Sequence, residues 1–213
     1  MSFKRLDNED FVVSAESIAG VAWSNGAPTA TGFATNTTQK NSVSGKYYLN
    51  AYLTTNASAG TPVEFACAYG NIDGLGAAPF DPNVSGKSPT SVVYGQWQNI
   101  VIGDENTKFK FGDDEKDDFY VINLARNRFK EKILPGSWTL VIDGTSYADN
   151  SKVATTVSFN EAGRVFPIFP GSAGTPTNTN TSKGLFLPDI GAIILDSSLK
   201  TPTTGTADAQ NPQ

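Results

Sequence analysis

Apolar side chains recur along this chain at two spacings, and each spacing predicts an element. In "TPVEFACAYG" (residues 61–70), Val63, Phe65, Cys67 and Tyr69 alternate with other positions, the period-two signature of a half-buried strand. Pro62 fits the beginning of that strand or an edge. "SGKYYLNAYLTT" alternates less cleanly, but its aromatic and threonine content favours a strand, and "KFKFG" is a shorter strand candidate. In "KSPTSVVYGQWQNIVIGDE" the spacing changes. Val93, Trp97, Ile100 and Val101 fall on one helical face, Ser88 stands at the cap, Pro89 in the first turn, and Gly103 closes the helix. A second helix is predicted across "FYVINLARNRFKEKILPG", with Ile122, Ala125, Phe129 and Ile133 as its apolar stripe. The acidic run at 113–118 precedes it. Arg126, Arg128, Lys130 and Lys132 lie towards its end, where they complement the macrodipole, and Pro135-Gly136 terminates it.

Alternation then returns. In "SWTLVIDGTSYADNSKVATTVSF", Trp138, Leu140 and Ile142 share one face, Thr139 and Val141 the other, and Asp143-Gly144 is a hairpin signal. The first face is expected to pack with Phe129 and Ile133 across the Pro-Gly corner. "RVFPIFPG" and "GAIILDSSL" are further apolar segments. The polar "SAGTPTNTNTSKG" between them is expected to be mobile. An apolar opening, "DFVVSAESIAGVAWS", precedes all of these. The expected fold is α+β: a predominantly antiparallel, sandwich-like β domain with two short helices and long loops. Residues 1–200 are expected to form a single domain, and 201–213, with nothing to bury, an extended C-terminal tail.

Composition sharpens this picture chiefly by exclusion. The chain of 213 residues contains 20 Gly and 12 Pro, which suits many turns. It contains no histidine, so Ser-His-Asp and Cys-His machinery and the commonest zinc ligand are excluded. One cysteine, Cys67, forbids an intrachain disulfide and reads as a small hydrophobe in its strand. A net charge of −5 argues against a nucleic-acid partner. No apolar run approaches a membrane span, and "MSFKRLDNEDFVV" lacks the apolar region of a leader, so the chain is expected to be made in the cytoplasm.

Three stretches invite a chemical reading. "GDDEKDD" lacks the internal glycine and distal Glu of a calcium loop and reads as a solvated helix N-terminus. "GNIDGLG" lacks phosphate-loop spacing and reads as a turn. Asp104 and Glu105 lie in a loop and make no case for paired carboxylate catalysis. The sequence therefore names no catalytic, metal or cofactor-binding residue, and no cofactor is expected. Tyr47, Tyr48, Tyr52, Tyr69, Tyr94 and Trp97 could line a sugar-binding face, although core packing accounts for most such aromatics. Arg126, Arg128, Lys130 and Lys132 are either ordinary solvated charges or a patch that meets an acidic neighbour.

Three longer strings carry a resemblance: "YGQWQNIVIGDENTKFKFG", "DDFYVINLARNRFKEKILPGSWTLVI" and "KGLFLPDIGAIILD". Together they resemble a group of structural proteins of T4-like myoviruses, over roughly residues 65 to 200. The resemblance implies a non-enzymatic virion component of a contractile-tailed bacteriophage, tail- or baseplate-associated. Its expected partners are other virion structural proteins in a multi-protein assembly, with no membrane or nucleic acid. A receptor- or carbohydrate-binding module on the virion surface is the alternative.

Overall fold

The computed structural model describes residues 19–20, 34–35, 47–52, 61–84, 86–129 and 131–199. Strands β1 (Ala19–Gly20), β2 (Ala34–Thr35), β3 (Tyr48–Tyr52) and β4 (Val63–Asn71) precede helix α1 (Pro89–Val101). Then come β5 (Phe109–Phe111), β6 (Asp114–Lys116), β7 (Asp118–Leu124), a 3-10 turn at Arg126–Arg128, and β8 (Lys132–Ile133). The chain continues through β9 (Leu140–Ile142), β10 (Thr145–Asp149), β11 (Ser158–Asn160) and β12 (Gly163–Ser172). It ends with β13 (Thr175–Pro176), β14 (Gly184–Leu187), β15 (Ala192–Asp196) and a second 3-10 turn at Ser197–Leu199.

The fold is mostly antiparallel sheet. Its main path runs β2-β3-β4-β7-β15-β14-β12-β10-β9, with β11 and β13 attached to β12. β5 and β6 form a separate hairpin, and β1 pairs in parallel with β8. The centre is β7, paired along its whole length with β4, from Phe65↔Leu124 to Asn71↔Asp118, and on its other side with β15. Both faces of β7 are covered from Phe119 to Val121, while Asn123 near its end is exposed. Phe119 and Val121 join Tyr94, Trp97 and Val101 of α1 in one apolar cluster, together with Phe109 and Phe111. Tyr120 and Leu124 join the other, with Tyr69, Phe129, Ile133, Tyr147, Ile168 and Phe186. That second cluster draws side chains from both ends of the strand order, so the sheet curls around it.

Covering on both faces explains the main correction. The helix predicted across 119–134 does not form; the segment is β7, a 3-10 turn and β8. A central strand needs apolar residues at every position, so it loses its alternation. In "FYVINLA" this places Ile122 and Ala125 three residues apart, and Phe129 and Ile133, beyond β7, continue the helical spacing by coincidence. Two neighbouring strands supply hydrogen bonds to β7, and helix propensity yields to them. The acidic run is corrected with it: residues 113–118 are a hairpin and the start of β7. Gly112 (φ 68) turns that hairpin, and Phe109 and Phe111, each 1% exposed, anchor it. Its lysines pair with the acids: Lys108 with Asp117 (2.5 Å), Lys110 with Glu115 (3.3 Å), and Lys116 with Asp196 of β15 (3.0 Å).

The other expectations fare better. α1 starts after Ser88 with Pro89 in its first turn, and Gly103 follows its end at φ 73. The Ser88 amide donates to Ser91 Oγ (3.1 Å), and the Tyr94 hydroxyl donates to the Lys116 carbonyl (2.7 Å), tying helix to hairpin. Tyr94 is the centre of the buried face, a position the predicted stripe omitted; Val93 and Ile100 lie at its margins. Asp143 (φ 47) and Gly144 (φ 78) turn β9 into β10 as predicted. Trp138, Leu140 and Ile142 pack against the cluster that holds Phe129 and Ile133. Part of the segment expected to be mobile is instead hydrogen-bonded. Residues 173–174 turn β12 into β13, and the amides of Thr177 and Lys183 donate to the carbonyls of Pro170 (2.8 Å) and Ile168 (2.7 Å). Residues 201–213 lie outside the described residues, as does most of the apolar opening.

Candidate functional site

Of the four basic residues proposed as an interface, the three that are described differ in setting. Arg128 turns inward to an ion pair with Glu64, whose side chain is 2% exposed. Lys132 is half-buried in β8, where it pairs with Ala19 of β1. Lys130 lies outside the described residues. Arg126 is exposed, held by a hydrogen bond from Nη1 to the Phe129 carbonyl (3.0 Å) and by its guanidinium lying 4.7 Å from the centre of the Phe129 ring.

Arg126 stands at a groove of about 480 Å³ that the sheet register builds. Asn50 of β3 is opposite Ala66 of β4, and Ala66 is opposite Asn123 of β7. The two amides thus flank an alanine on one face of three adjacent strands. Strands lie about 4.8 Å apart, so the amide-bearing positions are about 10 Å apart across that small floor. Tyr48, two residues earlier on β3, donates its hydroxyl to Asn50 Oδ1 (2.5 Å) and fixes that side chain. Phe129 and Ile190 complete the end near Arg126. Charge in this region is uneven. Glu64 neutralises Arg128, whereas among the described residues Arg126 meets no carboxylate.

The remaining candidates are structural. Tyr69 belongs to the cluster on one face of the sheet and Tyr94 and Trp97 to the cluster on the other, so the six aromatics do not share a sugar-binding face. Of them, Tyr48 lines the groove. Burial, reinforced by the hydrogen bond to Asp118 (2.8 Å), pushes the Tyr69 hydroxyl far above its ordinary pKa. Asp104 holds its own turn, accepting from the Asn106 amide (2.9 Å) and the Thr107 hydroxyl (2.5 Å). Those bonds, led by the one from Thr107, lower its pKa. Cys67 is in no disulfide and lies half-buried on the strand face of Phe65 and Tyr69. Among the described residues no three His, Cys, Asp or Glu side chains gather as a metal site, and no helix is long and apolar enough to cross a membrane.

Asn50 and Asn123 were not singled out from the sequence. The signal was there in retrospect: each interrupts an apolar strand, in "YYLNAY" and "YVINLA", where an amide has no reason to be buried. Compared with known proteins, the chain matches no family model, no curated protein and no solved structure.

Proposed function

We propose that the protein is a non-enzymatic structural component of a contractile-tailed bacteriophage virion, tail- or baseplate-associated, acting through contacts with other virion proteins. The observation that carries this reading is an apolar-tipped loop between β4 and α1. Asn71 Oδ1 accepts from the amides of Asp73 (3.0 Å) and Leu75 (3.1 Å), and the Ser88 hydroxyl donates to the Gly74 carbonyl (2.6 Å). The Phe80 amide donates to the Lys87 carbonyl (2.9 Å). A loop braced in this way nevertheless presents Leu75 and Phe80 to solvent, 57% and 67% exposed, with Val84 beside them in sequence and Val92 exposed one turn into α1. Large apolar side chains held outward on a shaped loop suit burial against a partner.

The resembling strings support the reading in a different way. They form α1, the central β7, and the β14-β15 hairpin, which together make the middle of the sheet and its helical cover. The strings that carry the resemblance therefore fall in the core of this fold. The sandwich-like packing belongs to the same proposal: each sheet face carries its own apolar cluster, and curling supplies the second layer. A second reading, a receptor-binding module on the virion surface, is favoured by the polar groove beside Arg126. The leading reading is tested by Phe80→Asp with Val84→Asp. The double variant should fold like the parent and fail to enter particles; normal incorporation would contradict the reading.

A further inference from the structure

We propose that the loop between β4 and α1 seats in the pocket between β12 and residues 150–158 of a second copy of this chain. The inference rests on the assembly reading, whose loop it uses, and names that loop's partner.

The pocket is a cavity of about 590 Å³ that opens where β10 parts from β12. Residues 147–149 pair with 168–170, and β11 rejoins β12 only at Ser158↔Val165. The gap left beside Phe166 and Pro167 is walled by Val153, Ala154, Val165 and Pro176, with hydroxyl and amide side chains between them. Its outer wall is held in place. The amides of Val153 and Ala154 donate to the Asn150 carbonyl (3.0 and 2.9 Å), and the Lys152 amide donates to the Gly174 carbonyl (3.0 Å). Val153 is nevertheless 51% exposed, an apolar surface on a fixed wall.

Three observations bring the loop to this pocket. First, the loop carries a preset apolar anchor. Phe80 stands between Pro79 and Asp81-Pro82, and the Asp81 carboxylate braces the turn by accepting from the Asn83 amide (2.9 Å). Prolines and a closed turn hold the exposed ring outward, so its burial costs little conformational entropy. Second, the charges are complementary. Residues 72–84 carry Asp73 and Asp81 and no base, whereas 150–158 carry Lys152 and no acid. All three are exposed, and none forms an ion pair among the described residues. Opposite charges at the rims of the two surfaces favour their meeting and fix its register. Third, the two surfaces lie apart on one chain. The loop leaves the end of β4, and the pocket adjoins β12, four strands further along the sheet, or about 19 Å at the usual strand spacing. Each copy therefore offers one loop and one pocket, the condition for a contact between different surfaces of two copies. A loop made for an unrelated protein would need no matching recess of opposite charge on its own chain.

Sedimentation velocity of the full chain tests this with Phe80→Asp in the loop and Val153→Asp in the pocket wall, both at exposed positions. The parent should associate increasingly with concentration in the micromolar range. Either variant alone should weaken that association at least about a hundredfold, the worth of one buried phenylalanine. In Val153→Asp the new carboxylate also faces Asp73 and Asp81. An equimolar mixture of the two variants should recover a one-to-one complex. The intact loop of the Val153→Asp copy enters the intact pocket of the Phe80→Asp copy, and recovery shows that both variants are folded. Lys152→Glu should weaken the parent's association about tenfold, and Lys152→Arg should preserve it. A parent that stays monomeric, association that survives either variant, or a mixture no more associated than its components would overturn the inference. The assembly reading is judged separately, by incorporation of Phe80→Asp with Val84→Asp. Exclusion of that double variant from particles beside a monomeric parent would show that the loop meets a different virion protein, leaving the assembly reading standing and this inference refuted.

Discussion

Replacing Arg128 by alanine separates two roles for the same residue, a surface charge waiting for a partner and an internal latch. Its guanidinium faces Glu64, which is buried on the strand that pairs with β7; the Glu64 carbonyl also accepts the amide of Ala125 (2.9 Å). Removing the cation takes from a buried carboxylate the guanidinium that faces it, a change that costs about 3–5 kcal/mol in comparable buried pairs. Arg128 retains 23% side-chain exposure, so water can reach the vacated space and the expected loss is about 3 kcal/mol. The pair is also imperfect. Arg128 Nε is buried without a hydrogen-bond partner, a standing cost that disappears with the side chain. Replacing both partners with apolar residues of similar length, Glu64→Leu with Arg128→Met, should therefore return stability to within about 1 kcal/mol of the parent. Urea denaturation followed by tryptophan fluorescence measures both, read as a midpoint shift at constant slope. A loss below about 0.5 kcal/mol for Arg128→Ala would place the residue with ordinary surface substitutions and refute the latch.

Trp138 packs on Phe186 with ring centres 5.1 Å apart, so Trp138→Ala should cost about 3 kcal/mol. Its indole N–H is buried without a partner, so Trp138→Phe should stay within about 1 kcal/mol of the parent; a loss for phenylalanine as large as for alanine would point to a hidden hydrogen bond. Gly191 holds φ 71, and a Cβ there would sit 2.4 Å from Phe129 Cζ; Gly191→Ala should lower stability by more than about 1 kcal/mol, and an unchanged melting curve would contradict this close packing. Burial raises the Asp189 carboxyl, but hydrogen bonds from the Arg164 side chain and amide and the charge of that arginine outweigh it and hold the pKa below its ordinary 3.8. A lowered folded-state pKa contributes stability that is present above the unfolded value and lost as pH falls through the folded one. Arg164→Ala should thus flatten the decline of stability below about pH 4, and parallel acid profiles would count against it.

Local signals were legible where one short stretch decides the structure. Ser88, Pro89 and Gly103 bracket α1, and Asp143-Gly144 turns a hairpin, because caps and turns are chosen within a few residues. β7 was misread because its identity depends on partners 47 (Asn71↔Asp118) to 77 (Phe119↔Asp196) residues away. Only when β4 and β15 flank it and both faces are covered does "FYVINLA" become a central strand. The same dependence hid the groove. Asn50 and Asn123 meet across Ala66 through two strand registers, which no local pattern encodes. Arg126 was singled out as a charge, but its setting on Phe129 follows from the 3-10 turn that replaced the predicted helix.

The central claim is that this chain works by contact inside a virion, with the loop between β4 and α1 as a buried surface. Cryo-electron microscopy of intact particles from cells producing the chain tests it most directly. The account predicts density for the curled sheet in the tail or baseplate, with Leu75, Phe80 and Val84 packed against a neighbouring subunit. Particles without the chain, or with that loop facing solvent, would contradict it.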